Sequence, residues 1–192
     1  MADRSILCLD LATVVGVAEG PVGELPRSTV WRLAEAPGTS HGERYAVLFR
    51  HLWERTEAFK PAAIYYEAPL PPTHMRGQSN IDTASFLMGL PAIVKLVGQL
   101  RGIWRVEPCN VQDVRGHFIG GRQFLFQGKP VVGRRNLDSK AAKFCTVARA
   151  RELGASPATH DEADAIALHS YASALIRPET GTASTPLFAG AA

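Results

Sequence analysis

Four carboxylates stand out by type and position. Asp10 closes the apolar run Ile6-Leu7-Cys8-Leu9, and Glu67 closes a second, Ala63-Ile64-Tyr65-Tyr66. Asp161 and Asp164 follow His160 near the end of the chain, three residues apart, a spacing that puts both on one face of a helix. Strand ends in an α/β sheet commonly carry the site. Carboxylates from separate elements suit a hard divalent cation such as Mg²⁺, which takes oxygen ligands. Two such ions about 4 Å apart can activate a water and stabilise the leaving oxygen of a phosphodiester. No usable Ser-His or Cys-His nucleophile pair competes with this chemistry. Each acid also has a plainer role open to it. Asp10 suits a turn, Glu67 a solvated strand end, and Asp161 the dipole of a helix N-terminus. Glu162 forms Thr-x-x-Glu with Thr159, the pattern of a capping box. Asp164 lies in an apolar stretch, where a carboxylate needs a partner. Together the acids favour a metal site.

Elements that could position them are legible. Residues 5–10, 14–19 and 27–33 read as three strands of one antiparallel meander. Ser40 and Glu43 have capping-box spacing ahead of a helix with Tyr45, Leu48, Leu52 and Phe59 on one face, stopped at Lys60-Pro61. Residues 62–67 read as a buried strand and 68–80 as a Pro-rich loop. An apolar helix is expected over 82–100, bent or broken near Gly89 and Pro91, then a strand over 103–107. Residues 116–136 hold five glycines and read as a long loop or hairpin. Asp138 or Ser139 can cap a helix running to Leu153, ending at Gly154. A last helix runs from Thr159 to Ile176. The pattern is an α/β layer with a mixed sheet: one domain over 1–176, a basic insertion at about 116–136, and a flexible tail over 177–192.

The 192 residues carry a net charge of +3, which permits a nucleic-acid partner without requiring one. Cys8, Cys109 and Cys145 are too scattered for a zinc site or a disulfide framework and fit reduced thiols of a cytoplasmic protein. The N-terminus does not read as a signal peptide. The apolar region 84–98 holds Pro91 and Lys95 and is too short to span a bilayer, so no membrane role is expected.

Basic residues gather late in the chain at Arg115, Arg122, Lys129, Arg134, Arg135, Lys140 and Lys143, with Phe118, Phe124 and Phe126 between them. The cations suit DNA phosphates. The rings fit inward packing better than base stacking. Arg76, with His74 and Met75 in the loop after Glu67, could reach DNA. The tail's Leu187-Phe188 has the form of a docking peptide for a sliding clamp.

The stretch from Ile6 to Ala18, with Asp10 and Gly16, resembles the first motif of the RuvC family of Holliday-junction resolvases, within the ribonuclease H-like superfamily. Ala63 to Glu67 resembles the family's second acidic strand, and His160-Asp161-Glu162-Ala163-Asp164-Ala165 its last motif. Order and spacing match over residues 5–175. The resemblance implies a ribonuclease H-like fold: a mixed sheet with three antiparallel N-terminal strands, further parallel strands and flanking helices. It implies a metal-dependent endodeoxyribonuclease that resolves four-way junctions by paired nicks. Asp10, Glu67, Asp161 and Asp164 become ligands of two Mg²⁺ or Mn²⁺ ions, with Lys140 and Lys143 facing the scissile region. A resolvase cuts two strands of like polarity, which a two-fold homodimer does naturally; the apolar helix over 82–100 is the candidate dimer face. Leu11-Ala12 replaces the usual small residue after the first acid, the 120–135 segment is long, and His160 can replace one ligand. These departures point to a divergent member from a phage or mobile element, working in the cytoplasm of a bacterial or phage-infected cell.

Three alternatives use the same residues differently. A ribonuclease H or YqgF-like nuclease would share fold and acids but act on RNA or RNA–DNA hybrids. A non-catalytic DNA-binding protein would not need the acids intact. An ATPase of the actin and sugar-kinase type needs two large lobes, for which the chain is too short.

Overall fold

The computed structural model describes residues 4–34, 36–69 and 81–178. The chain opens with β1 (Ser5–Asp10), β2 (Val14–Pro21) and β3 (Arg27–Arg32), followed by α1 (His41–Phe59), β4 (Ala63–Glu67), α2 (Ile81–Leu100) and β5 (Val106–Cys109). Then come α3 (Val111–Ile119), a hairpin of β6 (Gln123–Phe126) and β7 (Lys129–Val132), and helices α4 (Ser139–Glu152) and α5 (His160–Ile176). The main sheet has the order β3-β2-β1-β4-β5. Its first three strands are mutually antiparallel, whereas β4 and β5 run parallel to β1. This is the mixed sheet the sequence predicts.

Side-chain alternation divides the sheet into two faces. Leu7, Leu9, Val15, Val17, Ile64 and Tyr66 meet Leu48 and Leu52 of α1 and Phe86, Leu90, Val94 and Val97 of α2. On the other face Ile6, Cys8, Ala18, Ala63 and Tyr65 meet Val114 and Phe118 of α3, Cys145 of α4 and Ile166 and Leu168 of α5. Burying one such aliphatic or aromatic side chain stabilises the fold by roughly 1.5–3 kcal/mol.

The predicted caps form. At the start of α1, Ser40 accepts from the Glu43 N–H at 3.3 Å, and the Glu43 carboxylate accepts from the Ser40 N–H at 2.8 Å. Lys60, at φ 50°, ends the helix in the left-handed region just before Pro61. Asp138 caps α4 and Thr159 caps α5.

Four expectations need correction. Helix α2 is unbroken through Pro91. A helix-interior proline costs ~3 kcal/mol, less than the burial of the four large side chains on the same helix. Gly89 is a contact rather than a break, since a Cβ there would collide with the Tyr45 hydroxyl of α1. At 20 residues α2 is also long and apolar enough, by length and composition, to cross a membrane; its buried face belongs instead to the core. The strand expected at 103–107 begins at Val106, because the chain first closes a turn through Gly102 (φ 70°), with the Ile103 N–H donating to the Gly98 carbonyl at 2.8 Å. Finally, α3 was not expected. Asn110 caps it, accepting from the Gln112 N–H at 2.8 Å, and Val114 and Phe118 anchor one face despite Gly116 in its interior.

The 116–136 region resolves into the end of α3 plus a hairpin. Its turn is Gln127-Gly128, both with positive φ (52° and 75°), as a tight two-residue hairpin turn requires.

Candidate active site

The sheet register brings Asp10 and Glu67 together. Strand β4 pairs with β1 from Ile6↔Ala63 to Leu9↔Tyr66, so one further step sets Glu67 beside Asp10. Alternation directs both to the α5 face, on the side of Ile6, Cys8, Ala63 and Tyr65. On the other flank Asp10 pairs with Gly16 of β2. Helix α5 starts directly above that glycine: a Cβ on Gly16 would collide with the Asp161 carbonyl oxygen. The absence of a side chain at Gly16 therefore lets the α5 N-terminus reach the strand ends, carrying Asp161 and Asp164 to Asp10 and Glu67.

The electrostatics record that convergence. Burial pushes the Asp10 carboxyl well above its ordinary range, and the charges of Glu67, Asp164 and Asp161 push it further, with Lys143 opposing. Glu67 is raised to about 7, first by burial, then by Asp164, against the pull of Arg115 and Lys143. Asp164 is raised by burial and by Asp161, while Lys143, Arg115 and His160 draw it back down. Four acids thus share one half-buried end of the sheet, and two cations face them.

Their carboxyl groups are not drawn to a point: among the described residues no three His, Cys, Asp or Glu side chains stand close enough to share an ion. Like charges in a poorly solvated place repel, and the raised affinity for protons is the same strain seen in titration. The donor set fits a hard cation. It is all oxygen, comes from three separate elements, and is destabilised by the negative charge that a divalent ion would neutralise.

The structure sorts the predicted site residues. Lys143 faces the carboxylates. Lys140 lies one turn earlier on α4, exposed, and is not among the charges acting on them. His160 is exposed as the first residue of α5 and reaches Asp164 electrostatically. Arg115, placed by sequence only on a nucleic-acid surface, faces Glu67 and Asp164 from α3. Its approach to the acids depends on α3, a helix that the sequence pattern does not reveal. Arg122 is half-buried against Arg149 and Glu152 of α4, and Arg135 is ion-paired with Asp113 of α3. Lys129 and Arg134 are exposed. Phe118 and Phe124 are buried and pack inward, whereas Phe126 is half-buried and packs on the exposed Phe144 with ring centroids 5.3 Å apart. Arg76, His74, Met75 and the tail segment with Leu187-Phe188 lie outside the described residues.

Glu162 makes half of its expected capping box. Its N–H donates to the Thr159 hydroxyl at 3.1 Å, but its carboxylate accepts from the Ala158 N–H at 3.1 Å and the Ser28 hydroxyl of β3 at 3.3 Å. It ties the start of α5 to the edge of the sheet.

Neither a protein-family model nor a curated protein sequence matches the chain. Solved structures do. A Thermus thermophilus RuvC structure superposes with a TM-score of 0.61 at 16% identity, covering 92% of this chain and 98% of that one. T. thermophilus RuvC in complex with a Holliday junction substrate superposes with a TM-score of 0.62 at 15% identity, covering 94% and 98%. The chain has a RuvC-like fold. The likeness spans nearly all of both chains. At this identity the likeness establishes the fold, and the chemistry rests on the residues themselves.

Proposed function

We propose that this chain is a metal-dependent endodeoxyribonuclease that hydrolyses phosphodiesters of branched DNA, resolving four-way junctions by paired nicks. The observation that carries the reading is the meeting of Asp10, Glu67, Asp161 and Asp164 at one end of a RuvC-like sheet, faced by Lys143 and Arg115. The acids would hold two Mg²⁺ or Mn²⁺ ions, with His160 adjoining as a group that can replace one carboxylate ligand. Bound there, the metals supply an activated water and charge stabilisation for the departing oxygen. The chain's own cations hold the scissile phosphate: Lys143 and Arg115 offer N–H donors over the acids, and an arginine can grip a phosphate through two parallel hydrogen bonds. One RuvC structure holds a Holliday junction, and we extend that substrate class to this chain.

A homodimer suits the reaction, and the outer side of α2 suits a homodimer. Met88, Leu96 and Leu100 are roughly half exposed there, although the opposite side of the same helix is buried. Action on chromosomal or phage DNA would put the protein in the cytoplasm of a bacterial or phage-infected cell, and the tail would be the place for a sliding clamp to dock.

The test is incubation with labelled four-way junctions, flaps, RNA–DNA hybrids and linear duplex, with and without Mg²⁺. Symmetric nicks in the junction that need Mg²⁺ support the reading. Preferential cutting of the hybrid assigns the site to RNA instead. Cleavage that persists in excess chelator rules out the metal.

A further inference from the structure

Beside the carboxylates lies a second polar concavity that the proposed chemistry does not use. It is a cleft of about 850 Å³, walled by Asp113 and His117 of α3, by Tyr171 of α5, and by Arg134, Arg135 and Asn136 beyond β7. It is shallow and open to solvent, half of its surface is polar, and its charged groups are more positive than negative. Arg134 is exposed and has no ion pair among the described residues; Arg135 is paired with Asp113. His117 is held by Ser170 at 3.2 Å and by an edge-on contact with the Tyr171 ring.

The cleft is built rather than left over between mobile parts. A Cβ on Gly133, just after β7, would collide with the Ile119 carbonyl. The base of the hairpin is thus pressed, main chain on main chain, against the end of α3. The Gly121 N–H donates to the Gly133 carbonyl at 3.0 Å, and the Gly133 N–H to the Arg122 carbonyl at 2.8 Å, closing its base. Phe124 is sunk in the core beneath it.

Position relates the cleft to the acids. Asp164 and Tyr171 are seven residues apart on α5, two turns, so they share a face about 10 Å apart along the axis. Helix α3 spans the same gap, presenting Arg115 to the acids and Asp113 and His117 to the cleft. A strand of duplex DNA rises about 3.4 Å per nucleotide, so that distance is about three nucleotides.

From this we infer that the cleft seats a non-scissile phosphodiester of the bound strand, about three nucleotides from the cut. Arg134 and Arg135 are its ligands, and Asp113 occupies Arg135 until the phosphate displaces it. Guanidinium groups bind carboxylate and phosphate with the same two-pronged geometry, which makes the exchange a like-for-like swap. The inference rests on the proposed action on branched DNA, and it concerns a place on that DNA that the carboxylates do not touch.

The experiment walks a single neutral methylphosphonate along one strand of a labelled four-way junction and measures binding in EDTA, where no cleavage occurs. The wild-type protein should lose about tenfold in affinity, the order expected of a charge-assisted contact, when the neutral linkage lies near the third nucleotide from the cut. Protein carrying both Arg134→Ala and Arg135→Ala should bind more weakly throughout and show no further loss at that position. Asp113→Asn should bind more tightly, because the carboxylate that competes for Arg135 is gone, with the neutral linkage still costing affinity at the same position. Parallel interference profiles in wild type and the double variant overturn the cleft assignment. Unchanged or weakened binding in Asp113→Asn overturns the exchange. Parallel cleavage assays in Mg²⁺ separate the two readings. A protein that cuts junctions with parallel profiles loses the cleft and keeps the nuclease. One that shows the position-specific pattern without cutting keeps the cleft and loses the nuclease, and one that binds no junction loses both.

Discussion

The two faces of the sheet are built from the same strands by the same alternation, yet they end differently. On the α1–α2 face, Leu7, Leu9, Ile64 and Tyr66 pack with apolar side chains of both helices. On the α5 face the alternating row Ile6, Cys8 is completed by Asp10, and the row Ala63, Tyr65 by Glu67. One face spends its whole length on cohesion. The other gathers repelling carboxylates at one end, and the remainder of its apolar core holds them there. Charges that destabilise the metal-free fold are the groups that a cation and a phosphodiester would need.

The largest expected effect breaks that contrast by chemistry. Asp10→Asn, Glu67→Gln and Asp164→Asn should each lower junction cleavage by about three orders of magnitude, as loss of several kcal/mol of metal-supplied charge stabilisation implies. Junction binding should persist or tighten, since negative charge near the phosphates falls. Asp161→Asn should also be severe. A variant that cuts at the wild-type rate removes its residue from the ligand set. Leu90→Ala, on the opposite face, should cost about 2–5 kcal/mol in urea unfolding, whereas the acid-to-amide variants should be at least as stable as wild type without metal. If both groups are destabilised alike, the two faces do not differ as described.

Gly16→Ala tests the junction of the two roles. The added methyl meets the Asp161 carbonyl, so the start of α5 must shift. We expect a cleavage loss of at least tenfold together with a stability loss of about 1–3 kcal/mol, the usual cost of overpacking. Full activity would mean that the docking of α5 on β2 is loose.

Titration sharpens the comparison. The Glu67 carboxyl is raised from 4.5 to about 7. Between those values the folded protein keeps a proton that the unfolded chain has released. Stability of the metal-free protein therefore falls as pH rises through this window, by up to roughly 3 kcal/mol, and the loss is complete above it. Glu67→Gln should flatten that fall, and Mg²⁺ should raise the melting temperature more at pH 8 than at pH 5. His169 acts with the opposite sign. Burial lowers it from 6.5 to about 4, against its contact with the Gly20 carbonyl, so stability is lost as pH drops through 6.5 towards 4. The difference between wild type and Glu67→Gln isolates the carboxylate from the imidazole; identical curves would remove Glu67 from the strained cluster.

Much of this was legible because it depends on local periodicity. Alternation ending in an acid marked β1 and β4, and capping pairs marked α1 and α5. What was not legible depends on tertiary contact. Gly116 reads as a loop residue, yet it lies inside α3, where its missing Cβ makes room for the Arg135 side chain. Pro91 and Gly89 read as breaks, yet one is outweighed by burial and the other makes room for Tyr45. Arg115 reads as a surface cation, and only the folded α3 turns it to the acids. Gly16 was visible as part of a motif, but its purpose lies 145 residues away in the backbone of Asp161.

The smallest expected effect belongs to the acid that does not join the cluster. Glu162 sits between Asp161 and Asp164 in sequence but turns to the Ala158 N–H and the Ser28 hydroxyl. Both partners are donors, and the amide oxygen of glutamine can accept from either. Glu162→Gln therefore keeps the tie between α5 and β3 and loses only a negative charge near a helix N-terminus, worth about 0.3–1 kcal/mol. For a domain of this size that is a fall in melting temperature of roughly 1–4 °C. Cleavage should stay within about twofold of wild type, because a change of that size at the transition state would require loss of only about 0.4 kcal/mol. Glu162→Ala removes the acceptor as well and should cost more stability, again with cleavage of the folded protein retained. If Glu162→Gln instead silences cleavage as Asp10→Asn does, the carboxylate must leave Ser28 and join the metal ligands in the working state, and the division of labour among the three acids of α5 falls.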